Sequence, residues 1–394
     1  MEKLKPVILV ICDYYLPGFE SGGALRALVN LIDRLGDSYH FKLITRDHDG
    51  PLNRTSYSNV RLNDWNSVGK AEVYYLSRDN IRISSIRHLI GETQPAAIYL
   101  NSFFSQLTIF TLILQRFKKI GPIPIILAPE GELEPGALKL KLLKKLLYIR
   151  IAKLLKLLHS VIWKVASEYE QTHLKAICGP DCTIFTAPSL TERMILDDFD
   201  PNVKPEKQAG QAEMVFLSRF MRKKNFNWLL AHLRKVKGGL SIDIYGPIED
   251  AEYWKECQEI IKTLPDNIKV EAKGPIPYEE VAKMLVNYHF FVLPTLGENF
   301  GLVFVEALAA GCPLIISDRS PWRDLEEKGI GWDIPLETPN TWLSVISDCV
   351  DMNNHDYQEM SQHARKFAIA WVSDPAHEEA YREVMDFALM SAAK

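Results

Sequence analysis

The chain has 394 residues, a formal net charge of -4 and 24% charged residues. That length exceeds one ordinary hydrophobic core and predicts two domains of roughly 150–200 residues each. The mild acidity excludes general nucleic-acid binding, which needs a basic excess, and six scattered cysteines exclude a disulfide framework or a zinc ribbon, since the one close pair, Cys178 and Cys182, has no second half-site.

In chain order, Met1–Pro6 leads straight into the apolar run Val7–Cys12, too short for a signal-peptide core. No run of 18 apolar residues follows anywhere, so a reducing, cytosolic location is expected. Val7–Cys12 reads as the first strand of a parallel sheet. A loop at 13–20 and Ser21-Gly22-Gly23 then precede a helical pattern at 24–35. The glycine pair lets a ligand approach the backbone with a helix amino end behind it, or simply makes a tight turn. The dinucleotide fingerprint G-x-G-x-x-G is absent. Further strands are predicted at 41–45, 73–76, 97–100, 123–128, 161–166 and 183–186, with helices at 105–119 and 137–158 among them. Such alternation builds a helix-covered parallel sheet.

Residues 137–166 hold eight Lys or Arg and no acidic residue, seven of the cations lying between Lys139 and Lys156 among leucines. A basic amphipathic helix can lie on an anionic membrane surface; the alternative is a core helix with a basic outer face. Lys141, Lys144 and Lys145 share a face, whereas Arg150 and Lys153 fall where the earlier leucines point. Two helices, or a bent one, are therefore expected.

Residues 189–212 are polar and rich in Asp and Pro, and 191–212 read as an interdomain linker. A second strand series follows at 214–218, 240–245, 268–272, 290–293 and 314–317, giving an α/β chain with two Rossmann-like domains, 1–190 and 213–372. After the first of these strands come four cations in six residues, Arg219, Arg222, Lys223 and Lys224. A doubly wound sheet presents anion ligands at that place. Arg grips phosphate bidentately and Lys neutralises it as a point charge; the bland alternative is a solvated basic loop.

Phe290–Leu293 is apolar enough for a strand buried on both faces, and Pro294 stops it. Gly297 and Gly301 bracket a loop holding Glu298 and Asn299, a helical stretch runs from Leu302 to a stop at Gly311, and Leu314-Ile315-Ile316 follows. This is a right-handed crossover unit, whose loop meets ligands and whose helix amino end suits phosphate. Glu306 lies among Val303, Phe304, Val305, Ala307 and Leu308, so it faces a polar ligand or a buried ion partner. Trp322 is either a sugar platform or a packed aromatic, the second being preferred.

The pair Glu298-x7-Glu306 followed by Ala-Leu-Ala-Ala-Gly-Cys-Pro at 307–313 resembles the signature of the family-4 retaining glycosyltransferases. The loop at 218–225 and Gly22-Gly23 are similar to that family's other donor loops, so the resemblance covers nearly the whole chain. It implies the GT-B type, with two Rossmann-like domains facing across a cleft and a C-terminal helix, 373–394, crossing back to the first; Asp374 is the expected N-cap. It further implies a hexosyltransferase-like transfer from a nucleoside-diphosphate sugar, UDP-sugar being the family's commonest donor. The configuration is retained, and the acceptor is a glycan or lipid-linked sugar of surface polysaccharide or lipopolysaccharide synthesis. No cofactor or metal is implied.

On that reading Arg219 and Lys224 hold the pyrophosphate and, with Glu298, carry catalysis. Glu298 takes hydroxyls of the transferred sugar and Glu306 those of the ribose. Gly22 and Gly23 lie against the phosphates and the acceptor. Asn299, Phe300, Gly301, Leu302 and Val303 complete the donor wall, and Ile276 sits beside the nucleobase. Arg222 and Lys223 fall at variable, solvent-facing positions. Two departures mark the acceptor side: Glu130 stands before Gly131 where several relatives have Arg, and Asn101 where many have His. An Asn hydrogen-bonds a hydroxyl but cannot be a base. An epimerase of the same fold and a non-catalytic nucleotide-sugar-binding subunit remain open.

Overall fold

Strand β1 (Val7–Cys12) shows why its sheet carries helices on both faces. Ile8, Val10 and Cys12 enter one hydrophobic core, and Leu9 and Ile11 enter another. The two-residue side-chain period of a strand demands that split. In the computed structural model, which describes residues 5–50, 53–139, 142–193 and 204–392, contacts divide the chain into two units. One comprises Met1–Leu190 with Pro375–Lys394, the other Thr191–Asp374.

In the first unit β1 is followed by α1 (Gly23–Leu35), β2 (His40–Arg46), β3 (Trp65–Val68), β4 (Ala71–Leu76), α2 (Ile83–Thr93), β5 (Ala97–Asn101) and α3 (Gln106–Arg116). Then come β6 (Ile125–Ala128), α4 (Pro135–Lys139), α5 (Leu142–Leu154), β7 (Val161–Val165), α6 (Glu168–Cys178) and β8 (Ile184–Thr186). The sheet order is β3-β4-β2-β1-β5-β6-β7-β8, parallel except for the β3–β4 hairpin. Ser105 caps α3, its hydroxyl accepting from the Leu107 N–H, as N-cap serines do. The helical stretch expected at 137–158 is two helices, with residues 140–141 outside those described.

The second unit runs β9 (Gln211–Leu217), α7 (Phe226–Leu233), β10 (Gly239–Tyr245), α8 (Ala251–Ile261), β11 (Ile268–Gly274), α9 (Tyr278–Leu285), β12 (Phe290–Leu293), α10 (Leu302–Ala309), β13 (Leu314–Ser317), β14 (Gly331–Ile334), α11 (Pro339–Asp351) and α12 (Asn354–Ser373). Its sheet, β11-β10-β9-β12-β13-β14, has the doubly wound order of a nucleotide-binding fold. All four side chains of β12 are fully buried.

Part of the stretch read as a linker, 194–203, lies outside the described residues. From Lys204 onward that stretch is fastened to the second unit. Lys207 is 2% exposed, and its ammonium donates to the carbonyls of Gln208, Val350 and Met352. A cation at the carboxyl end of α11 satisfies orphan carbonyls there. Composition marked these residues as polar but could not show that a helix end would consume the charge.

The last helix, α13 (Ala376–Ala392), belongs to the first unit. Tyr381, Val384, Met385 and Ala388 join the core that Ile8 and Val10 enter, and Arg34 pairs with Glu378 at 2.7 Å. Its start differs from the expected one. Ser373 ends α12 and Asp374 closes that helix, its N–H donating to the Trp371 carbonyl. Pro375, which has no N–H, separates the two helices.

Candidate active site

The strand order places two loops side by side. β9 pairs with β12 at Met214–Phe290 and Val215–Phe291, and here the sheet's connections reverse direction. Ligands of doubly wound sheets bind in this crevice. The loop after β9 is fixed by Phe220, 1% exposed, whose N–H donates to the Pro247 carbonyl at 2.8 Å. Gly246 has φ 128, and a Cβ there would lie 2.0 Å from the Ser218 carbonyl oxygen. Only glycine lets the end of β10 come this close, which sets the direction in which Arg219 leaves the strand.

Arg219 reaches Glu249 at 3.0 Å and remains 40% exposed. Arg222 is exposed too, but Glu256 grips it at 2.6 and 2.9 Å. Lys223 contributes its backbone, its carbonyl accepting from the Leu296 N–H at 2.8 Å. Lys224 is mostly buried and meets the Glu298 carboxylate at 2.6 Å. Burial holds the Lys224 pKa down, Glu298 opposes this, and neighbouring Lys223 and Arg219 add to it. Burial pushes Glu298 up, but Lys224 and Lys223, with Arg219, more than offset it, so its pKa falls below the usual carboxylate range.

The loop carrying Glu298 is tied on three sides. The fully buried Thr295 hydroxyl donates to the Gly297 carbonyl at 2.9 Å. Ser317 donates to the Thr295 carbonyl at 2.5 Å, and the Glu298 N–H donates to the Arg319 carbonyl at 2.8 Å. Sequence reading passed over Thr295, Ser317 and Glu249, because nothing local marks a hydroxyl or carboxylate whose partner comes from another strand end.

Behind this loop α10 begins at Gly301, φ 83, with no side chain capping its amino end. Its first-turn N–H groups, at Leu302 and Val303, suit an anionic ligand. From Leu302 to Ala309 only Val303 and Glu306 escape full burial. Three residues apart, they share one helix face, so Glu306 lies on the open stripe of an otherwise buried helix. Asn299 is half-buried and Phe300 buried. Trp322 is a packed aromatic: 7% exposed, it donates from Nε1 to the Phe300 carbonyl at 2.6 Å and contacts Phe300, Phe304, Phe367 and Trp371. Ile276, half-buried, follows β11.

In the first unit the same rule operates at β1 and β5. Gly22, φ 62, is the N-cap of α1, and a Cβ on Gly23 would meet nothing within 4 Å. Asp49 holds the preceding loop by accepting from the Phe19 and Glu20 N–H groups. Asn101, 7% exposed, ends β5 beside Cys12, and its Oδ1 has no hydrogen-bond partner among the described residues. Glu130 faces Lys164 at 3.6 Å, so its carboxylate offsets a lysine that is 1% exposed. Cys178 and Cys182 are both free.

Residues 198–367 match the family described as glycosyl transferases group 1. Among curated proteins the chain is similar to the UDP-N-acetylglucosamine–peptide N-acetylglucosaminyltransferase GtfA subunit of Streptococcus agalactiae. Identity is 31% over 129 residues, covering 31% of this chain and 24% of that protein. The match thus spans about a quarter of that relative's length. Among solved structures, sucrose-phosphate synthase from Thermosynechococcus elongatus aligns with TM-score 0.71 at 16% identity over 99% of this chain and 100% of that one. Anabaena HepE in complex with UDP-glucose aligns with TM-score 0.66 at 15% identity over 97% and 98%. The match to the glycosyl transferases group 1 family thus covers residues 198–367, on a chain whose fold is that of two-domain glycosyltransferases of the GT-B type.

Proposed function

We propose that this chain is a retaining glycosyltransferase, moving a hexose-like sugar from a nucleoside-diphosphate sugar, UDP-sugar first among them, to a glycan or lipid-linked acceptor in surface polysaccharide or lipopolysaccharide synthesis. The observation that carries the reading is Lys224, which contacts Glu298 and lies close enough to Arg219 to feel its charge, on the loop after β9, while the neighbouring strand β12 leads through Glu298 into the uncapped amino end of α10. As the bond from the anomeric carbon to the diphosphate breaks, negative charge grows on the leaving oxygens. Preorganised donors aimed at that charge supply most of the stabilisation. Lys224 has three N–H donors, so it can hold Glu298 and a diphosphate oxygen together. Glu298 then serves the hydroxyls of the transferred sugar, Asn299 and Phe300 line its loop, Glu306 takes the ribose, and Ile276 flanks the base. No metal or cofactor is assigned a role. Gly22 and Gly23 are assigned to the phosphates and the acceptor, with Asn101 and Glu130 on the acceptor side; the unpartnered Asn101 oxygen suits a sugar hydroxyl. Six free cysteines suit a reducing, cytoplasmic compartment.

A panel of nucleotide sugars tests the reading by ligand-observed NMR, followed by assay of diphosphate release with a glycan acceptor. One UDP-sugar should show saturation transfer and release UDP, with the product keeping the donor's anomeric configuration. Sugar interconversion without acceptor would make the chain an epimerase, and binding without turnover a donor-binding subunit; either result overturns the proposal.

A further inference from the structure

Helix α5 presents leucines to solvent on the side where a core-covering helix would carry polar residues. Its inner face is Ile149 and Ala152, both buried, with Tyr148 and Lys145 beside them. On the opposite side Leu143, Leu147 and Leu154 are 84%, 58% and 81% exposed. At 3.6 residues per turn these three project within about 40° of one another. Leu146 and Ile151, 37% and 42% exposed, widen the stripe. Lys144 borders it on one side and Lys153 on the other, and Arg150 falls within it beside Leu143, all exposed. Lys145, expected on the basic face, instead turns inward: its ammonium donates to the Ala137 carbonyl at 2.8 Å and lies 4.8 Å from the Phe104 ring centre. Lys141, the third cation expected there, lies outside the described residues.

A second element extends the patch. Arg116 at the end of α3 donates from Nε to the Leu155 carbonyl at 2.7 Å. This brings Phe117, 57% exposed, with Lys118 and Lys119, alongside the end of α5. No Asp or Glu occurs at 93–129 or 135–167. A continuous apolar patch of this kind marks an interaction surface. The core of a protein–protein interface is depleted in lysine, whereas here cations accompany the exposed leucines and neither stretch supplies an acidic residue. Leucines for the acyl boundary and cations for the phosphates are the chemistry of a helix lying in a membrane interface. No helix among the described residues is long and apolar enough to cross a membrane.

We propose that this face of the first unit docks on an anionic lipid bilayer, with α5 in the plane of the interface. The proposal is independent of the transfer reaction, since docking needs no donor.

Flotation of the full chain with vesicles of equal phosphatidylglycerol and phosphatidylcholine, against phosphatidylcholine alone, tests it. The wild type should float with the anionic vesicles and be released by high salt. Leu143→Gln/Leu147→Gln/Leu154→Gln, which keeps helix propensity, should lower the partition about tenfold or more. Arg150→Gln/Lys153→Gln should lower it roughly 25-fold, at about fivefold per cation near an anionic surface. Circular dichroism shows whether each variant retains its fold. A wild type that stays off anionic vesicles, or folded variants that float like it, would overturn the proposal. So would a wild-type dimer in sedimentation that the leucine variant converts to monomer without any vesicle binding, since the face would then join two copies of this chain.

Discussion

At Lys224 burial and charge compete: burial disfavours the ammonium, and the contact with Glu298 favours it. The proposed roles become testable through that contact. Replacing Glu298 by Gln removes the counter-charge while keeping the shape. It should slow sugar transfer, yet leave the affinity for free UDP equal or tighter, because Lys224 would then face the diphosphate without a competing carboxylate. Glu306→Ala should instead weaken UDP binding. Titration calorimetry with UDP beside initial rates separates the two, and a tenfold loss of UDP affinity in Glu298→Gln would show that Glu298 belongs to the nucleotide side. Arg219→Ala and Lys224→Ala should each cost about 3 kcal/mol of transition-state stabilisation, read as kcat/KM. The residue types at 219, 224, 298 and 306 were legible because each sits in a loop or helix whose local pattern is unusual. Their partners were not: Glu298 is 74 positions from Lys224, and Glu249, holding Arg219, belongs to the loop after β10.

Among the elements, β12 and β13 have the bounds that their apolar runs predicted, because strands buried on both faces leave continuous apolar signatures. β3 and β14 were missed. β3 is a short, half-exposed Trp-Asn-Ser-Val edge strand, and β14 is four residues whose extended form depends on pairing with β13. The turn into α10 was legible as a glycine, and the structure adds its reason. Gly301 has φ 83, and a Cβ there would lie 2.5 Å from the Phe304 ring. Gly301→Ala should lower stability by about 1–3 kcal/mol; an unchanged urea midpoint would mean that the turn relaxes. α5 was legible as helix and as basic, but which side it buries was not. An isolated helix has no inside until a neighbour packs on it, and here Ile149 and Ala152 face the core that Phe103 and Trp163 share.

For the whole molecule, one contribution to acid sensitivity comes from His289, buried between strands and helix. The His289 Nδ1 accepts from the Glu213 N–H at 3.0 Å, and its ring meets Tyr357 edge-on. Burial, then Lys207 and Lys204, hold its pKa down to about 4 from 6.5. Below 6.5 the unfolded chain takes up a proton that the folded chain refuses, so this contribution is lost as pH falls toward 4. The share of His289 should reach about 2 kcal/mol near pH 5, read as the difference in acid-induced loss of urea stability between the wild type and His289→Gln. An equal acid loss in that variant would assign it to other groups. The sequence by itself determined the parallel α/β class, the two strand series, the loops that bear Arg219, Lys224 and Glu298 and the helix that bears Glu306, because burial on both sheet faces and glycine-flanked turns are local requirements. Only the tertiary structure decided that Lys224 meets Glu298, that Glu130 serves Lys164, and that α5 turns its leucines outward. Those outcomes depend on strand order and on which helix face finds a partner, and neither is written in any single stretch of chain.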